Sequence, residues 1–286
     1  MDLTNINEIK TLLSRHGFRF SKSKGQNFLT AAWVPEDIAD AAGLDGQTGV
    51  LEIGPGIGCL TEQLSERAGK VVSVELDTAL RPVLAETLAG RNNVEIVYGD
   101  ALKLNIPKLL DEKMPGMRHV VCANLPYNVT GPVISKLLKC RCFDSVTVMI
   151  QCEVARRICA RPGTGEYGEF TVFVNWYARP EMLFDVPPDC FIPRPKVTSS
   201  VIRLDCRVSP PVEVKSEAMF MRVVRAAFAQ RRKTLLNALS TGFGELSKDE
   251  VEKCLLDSGF DPKVRGEVLS IGEFAKIADA FFTVLD

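Results

Sequence analysis

The stretch Val50-Leu51-Glu52-Ile53-Gly54-Pro55-Gly56-Ile57-Gly58 decides how this chain folds. A short apolar run consistent with a buried strand over Gly49–Ile53 breaks into three alternating glycines, and helical spacing resumes over Leu60–Ala68. Glycines at such a strand-to-helix turn let the backbone bend tightly and let a ligand lie against it. A dinucleotide site would want G-x-G-x-x-G. Here the third position of that pattern is Cys59, and the motif is E-x-G-x-G-x-G with Glu52 before the first glycine. A carboxylate at that place disfavours a pyrophosphate and suits a ligand that carries an ammonium and a sulfonium.

Outward from this turn, short β-branched runs alternate with longer mixed segments. Strands are predicted at Val71–Val74, Val94–Val97, His119–Cys122 and Val146–Gln151, and helices at Thr78–Ala89 and Pro132–Leu138. Such alternation predicts an α/β fold, a Rossmann-like parallel sheet wound on both faces. Phe170–Tyr177 and Val197–Leu204 read as a closing antiparallel pair, with Ser199 and Ser200 interrupting the apolar pattern. A break falls at Ser209-Pro210-Pro211. Beyond it Met219–Phe228, Arg232–Leu239, Lys248–Ser258 and Ile271–Phe282 have helical spacing. The expected domains are therefore 1–208, the cofactor-binding α/β domain, and 209–286, a small helical one.

The second strand ends in Glu75, placed to accept both hydroxyls of a ribose, and the third ends in Tyr98-Gly99-Asp100-Ala101, where Asp100 can accept from an adenine amino group. Three such features in order, each at a strand's C-terminal edge, point to S-adenosylmethionine as cofactor. The fourth strand runs into Asn124-Leu125-Pro126-Tyr127 on the same edge. This has the form of the (D/N/S)PPY loops of amino-group methyltransferases, with Leu125 in place of the first proline. An exocyclic adenine amine is a poor nucleophile because its lone pair is delocalised. If the Asn124 side-chain oxygen and the Leu125 carbonyl accept its two N–H bonds, the nitrogen can pyramidalise, while Pro126 holds that carbonyl outward and Tyr127 stacks on the base.

The 286 residues, 46% hydrophobic and 25% charged, describe an ordinary globular chain with no run long enough for a membrane span and no apolar secretion signal at its start. Nine scattered cysteines without a CxxC pair, and two histidines, argue against a metal site and for reduced thiols in a cytoplasm. Cys140-Arg141-Cys142 is tighter than zinc spacing and reads as two ordinary thiols. Net charge is −1, yet residues 191–235 carry ten Lys/Arg against three acids, and 10–24 carry five bases and no acid. That segregation suggests a face for a polyanion.

With these residues in view, the chain resembles the rRNA adenine-N6,N6-dimethyltransferases that modify two adjacent adenines in the loop of the 3′-terminal hairpin of small-subunit (16S) rRNA. The resemblance runs almost end to end: Gly25-Gln-Asn-Phe-Leu29, Leu51–Gly58, Val74-Glu-Leu-Asp77, Gly99-Asp-Ala101, Asn124–Tyr127, Glu166-Tyr-Gly168, Phe191-Ile-Pro-Arg-Pro-Lys-Val197, Ser200-Val201 and Phe228-Ala-Gln-Arg-Arg-Lys-Thr-Leu235. It implies that residues 1–45 form an N-terminal segment with a cofactor-binding loop, and that cofactor contacts fall at Gln26, Asn27, Leu29, Gly54, Gly56, Glu75, Asp100, Ala101 and Asn124. Asn124, Leu125, Pro126, Tyr127 and Phe191 would be catalytic, with the target adenine between Tyr127 and Phe191. Arg194, Lys196, Arg231, Arg232 and Lys233 would face RNA. The implied partner is small-subunit rRNA within an immature 30S subunit, met by a cytoplasmic monomer without a metal. Lys24 and Thr30 depart from the family's usual apolar residue and acid. The alternatives are a related large-subunit rRNA methyltransferase of the macrolide-resistance type, a ribosome-assembly factor using the fold for binding, and, more distantly, a nicotinamide dehydrogenase.

Overall fold

Short apolar runs, rich in β-branched residues in the central strands, form the sheet. In the computed structural model, which describes residues 1–18 and 26–286, the strands are β1 (Phe28–Leu29), β2 (Thr48–Ile53), β3 (Lys70–Glu75), β4 (Val94–Tyr98), β5 (Arg118–Asn124), β6 (Ser145–Gln151), β7 (Ala178–Val186), β8 (Phe191–Ile192) and β9 (Ser199–Cys206). Seven of them form one sheet in the order β4-β3-β2-β5-β6-β9-β7, while β1 and β8 pair with each other. The first five strands of that sheet are parallel, and β9 runs antiparallel to both β6 and β7. Val50, Leu51, Val71, Val72, Val120, Val121, Val146 and Val148 are fully buried, as central strands covered on both faces require.

The winding places the site. After β2 the chain adds β3 and β4 on one side, then returns to lay β5 and β6 on the other. The strand order therefore reverses between β2 and β5, and a crevice opens at their C-terminal ends, where open α/β sheets bind ligands.

Two sequence expectations change. Phe170–Tyr177 is not a strand; it lies in a helix, Glu169–Tyr177, and β7 begins at the next residue. A continuous run of β-branched and aromatic residues fits a buried strand and a buried helix equally. Burial of Thr171, Val172, Val174, Trp176 and Tyr177 on several sides satisfies it as a helix. The strand that does close the sheet contains Pro180, which is tolerated because β7 is the edge. The helix expected from Arg232 starts instead at Leu235, where the Thr234 side chain accepts from the Asn237 N–H. Arg231, Arg232 and Lys233 thus lie in the link between two helices.

The chain forms two compact units, Met1–Ala155 with Ala178–Cys206, and Arg156–Tyr177 with Arg207–Asp286. They divide the chain at three places, where sequence reading expects the single boundary 208/209. The first unit is the sheet with its helices. The second is helical, built around Glu217–Ala229, Leu235–Gly242, Lys248–Asp257 and Ile271–Leu285. Ser216, Thr234, Ser247 and Ser270 cap these helices, the last two in full capping boxes with Glu250 and Glu273. In its core Trp176 stacks on Phe220 at 4.1 Å and Phe243 meets Phe281 at 4.6 Å.

Candidate active site

The glycine turn after β2 is the floor of the crevice. Gly54 and Gly56 have φ of 74° and 61°, a left-handed backbone that other residues rarely adopt. A Cβ on Gly56 would stand 3.2 Å from the Phe28 ring, so the N-terminal loop packs straight onto this turn. Gly25 of that loop, like the bases Arg19, Lys22 and Lys24, lies outside the described residues. Gln26 and Asn27 tie the loop across the crevice: the Gln26 amide donates to the Asp77 carboxylate at 2.8 Å, and the Asn27 carbonyl accepts from Asn124 Nδ2 at 3.4 Å.

Around this frame the cleft collects Gln26, Asn27, Leu29, Gly54, Gly56, Glu75, Asp100, Ala101 and Asn124, every residue expected to hold a cofactor. Among the described residues its lining contains three carboxylates, Glu52, Glu75 and Asp100, and no Lys, Arg or His. Glu52 is 1% exposed and accepts from Ser73 Oγ at 2.6 Å and Thr61 Oγ1 at 2.7 Å. Burial, with Glu75 adding to it, pushes its carboxyl up to about 7 against the pull of those two hydroxyls. Glu75 is likewise raised by burial, while N–H groups of Asp77, Gly56 and Leu76 partly hold it down. A site of acids walled in by apolar groups stabilises a cationic ligand and repels a pyrophosphate. Leu76 and Leu102, both exposed, add flat apolar surface beside them.

The Asn124–Tyr127 loop borders the same cleft. Leu125 is buried and its N–H donates to the Met149 carbonyl at 3.1 Å, continuing the β5–β6 ladder past the strand's end. The Pro126 carbonyl accepts from the Thr130 hydroxyl at 3.2 Å and the Val129 N–H at 3.2 Å, which begins the helix Thr130–Lys139. The Tyr127 hydroxyl meets Ser199 Oγ at 2.7 Å. Phe191 is 5% exposed, paired in β8 with Leu29, and does not line the cleft.

The cations expected to face RNA are arranged differently. Lys196, Arg232 and Lys233 are exposed. Arg194 pairs with Asp189 at 2.6 Å, both about 70% exposed. Arg231 turns back on its own unit and donates to the carbonyls of Gly165 at 2.7 Å and Tyr167 at 3.1 Å. Tyr167 in turn packs edge-on to Phe228, so the Glu166-Tyr-Gly168 and Phe228–Leu235 stretches meet as one structural knot.

Sequence reading missed one residue that shapes the cleft. Lys136, on the helix that follows Asn124–Tyr127, donates from Nζ to the carbonyls of Leu102 at 2.8 Å and Leu104 at 2.5 Å. It clamps the turn that carries Asp100 and Ala101. No sequence signal marks it, since a lysine on a helix is usually a solvated one. Ser199 had a signal, a polar residue in an apolar strand, but its partner Tyr127 was not foreseeable from spacing.

Among the described residues no group of acids, thiols or histidines is arranged to hold a metal ion, and no helix is long and apolar enough to cross a membrane. Residues 17–281 match the family model described as ribosomal RNA adenine dimethylase. The chain is 47% identical over 283 residues to a ribosomal RNA small subunit methyltransferase A from Geobacillus thermodenitrificans, covering 98% of this chain and 97% of that one. Among solved structures it resembles a dimethyladenosine transferase from Plasmodium falciparum, at 26% identity and TM-score 0.72 over 87% of this chain and 95% of that one. It also resembles the 23S rRNA methyltransferase ErmE, at 27% identity and TM-score 0.66 over 88% and 98%.

Proposed function

The chain belongs to the ribosomal RNA adenine dimethylase family, and from that premise we propose how its cleft works. It is a methyltransferase that dimethylates adenine N6 in small-subunit rRNA. The large-subunit alternative is disfavoured: identity to the 23S enzyme is 27%, against 47% to a small-subunit one.

The observation that carries the finer reading is a cleft to which the described residues bring three acids, Glu52, Glu75 and Asp100, beside an Asn-Leu-Pro-Tyr loop. That lining fits S-adenosylmethionine, whose sulfonium supplies an electrophilic methyl group. Glu75 takes the ribose hydroxyls, Asp100 the adenine amino group and Glu52 the ammonium end. With Asn124 Nδ2 engaged by the Asn27 carbonyl, its Oδ1 is the atom left to accept from the target amine. The Leu125 carbonyl accepts the second N–H. Together they align the amine lone pair with the methyl group, so orientation replaces a strong base, and the Asn124–Tyr127 loop contains none. Tyr127 stacks on the base, held at its far end by Ser199, and Phe191, one strand pairing from Leu29, supplies the second face.

The helical unit contributes to RNA binding through Arg232 and Lys233, and Arg194 and Lys196 contribute from the sheet-bearing unit. The acting form is a cytoplasmic monomer, and its substrate is an immature 30S subunit. The test is mass analysis of adenines after incubation with labelled S-adenosylmethionine. Dimethyladenine should accumulate in immature small subunits and not in free large-subunit rRNA. Label in the large-subunit RNA alone would overturn the reading.

A further inference from the structure

One motif in this chain lies outside the methyl-transfer site, Cys140-Arg141-Cys142. It follows directly on the helix Thr130–Lys139, and none of its atoms lines the cleft. The two Sγ atoms are 2.9 Å apart. That is closer than the roughly 3.5–4.0 Å at which packed heavy atoms settle, and longer than the ~2.05 Å of a formed disulfide. Arg141 between them has φ of 50°, and no other non-glycine residue among those described has a left-handed backbone. That turn shortens the span between its neighbours and lets two thiols with a single residue between them meet. Both sulfurs belong to partly exposed residues, whereas Cys59, Cys122, Cys190 and Cys254 are buried, and all nine cysteines are free.

We propose that Cys140 and Cys142 form a thiol–disulfide exchange site that takes a low-molecular-weight disulfide of the oxidised-glutathione class and closes to an intrachain disulfide. The two thiols are not equivalent. The hydrogen bond shared with Cys142 holds Cys140 down to about 7 and the Lys136 ammonium one helical turn earlier adds to the effect, while Cys140 Sγ also reaches the Leu137 carbonyl at 2.9 Å. Cys142 is raised by that same hydrogen bond and by burial. Cys140 is therefore the attacking thiolate and Cys142 the resolving thiol.

The Cys140 thiolate attacks one sulfur of the small disulfide, forming a mixed disulfide and releasing one thiolate. Cys142 then gives its proton to that leaving thiolate and attacks the Cys140 sulfur. The protein disulfide forms as the second small thiolate departs and takes up the proton that Cys140 had lost to solvent. Two protein thiols are oxidised and one small disulfide is reduced to two thiols. In a reducing compartment the pair rests as the dithiol and closes when the disulfide share of the thiol pool rises.

The test treats the full-length reduced protein with oxidised glutathione, blocks remaining thiols with N-ethylmaleimide and maps the peptides. The expected result is loss of two thiols with a Cys140–Cys142 bond. The Cys142→Ser variant should trap a glutathione adduct on Cys140, and Cys140→Ser should form neither adduct nor disulfide at this motif. The unsubstituted protein decides the matter even if a variant fails to fold. Both thiols left open to the alkylating agent, or a Cys140–Cys206 bond in place of the Cys140–Cys142 one, would overturn the proposal.

Discussion

The cleft and the cationic surface are both expected from residue types together with the family resemblance, and they behave differently. In the cleft each nominated residue lies where a strand's end or a turn puts it, and backbone groups hold several of the side chains. Glu75 accepts from the Asp77 N–H at 2.6 Å, and Asn124 Nδ2 donates to the Asn27 carbonyl. On the cationic surface two of five nominated side chains turn to their own chain, Arg194 to Asp189 and Arg231 to two carbonyls. The difference teaches where sequence speaks for geometry. A residue at a strand's C-terminal edge inherits its direction from the sheet, whereas a long cation after a helix chooses its partner in three dimensions.

The sharpest way to break the contrast is at Asn124. Asn124→Ala removes one of the two acceptors proposed for the amine, and loss of one oriented polar group of this kind costs roughly 10²–10³ in rate. Turnover should fall by that factor at saturating cofactor while RNA docking persists. Parental turnover would reduce the loop to architecture. Next in size is Glu75→Ala, which deletes the charge-assisted hydrogen bonds proposed to the ribose, each worth roughly 1.5–3 kcal/mol. Calorimetry on the folded variant should show cofactor affinity at least about tenfold weaker, and unchanged affinity would remove the ribose assignment.

A smaller effect comes from protons on Glu52. Its carboxyl is raised to about 7 in the fold, above its ordinary value, so the folded chain holds a proton that the unfolded chain has released. That contribution to stability is present at low pH and is lost as pH rises through about 7. A cationic ligand prefers the ionised form. Cofactor affinity should therefore rise several-fold from about pH 6 to about pH 7.5, and Glu52→Gln should flatten the profile. A profile of equal slope in both proteins would exclude Glu52 from the ligand.

The smallest effects belong to the cations, since exposed charge contacts are each worth under about 1 kcal/mol. Replacing Arg232 and Lys233 with Ala should lower the salt slope of RNA binding by roughly 1 for each lost phosphate contact and leave cofactor affinity alone. Arg231→Ala should behave otherwise: lower thermal stability of the helical unit and little change in slope. An equal loss of slope in both variants would erase the distinction between the two kinds of cation.

The parallel half of the sheet was legible because Val50–Ile53, Val71–Val74 and Val120–Cys122 are buried and contain little else than β-formers and apolar residues. The glycine turn and Asn124–Tyr127 were legible for the reason given above. Phe170–Tyr177 was misread because its length and composition suit a strand, and only its burial against partners such as Phe220, far along the chain, makes it a helix. Lys136 was invisible because its target is backbone, and carbonyls carry no sequence signature. Ser199 was seen as an irregularity, yet its use by Tyr127 depends on how β9 lies beside β6.

The interleaved division of the chain bears on synthesis. The helix Glu169–Tyr177 leaves the ribosome well before Phe220, on which its Trp176 stacks. At roughly 5–20 residues per second, that apolar segment waits some seconds for its partner. Meanwhile β7 and β9, which lie in the chain between the second unit's two segments, can already complete the sheet. Translation thus sets an order of assembly, sheet first and helical unit last. A shortened chain ending near residue 208 would strand Trp176 without its cover, so the helical unit is not a cassette that a single cut can remove.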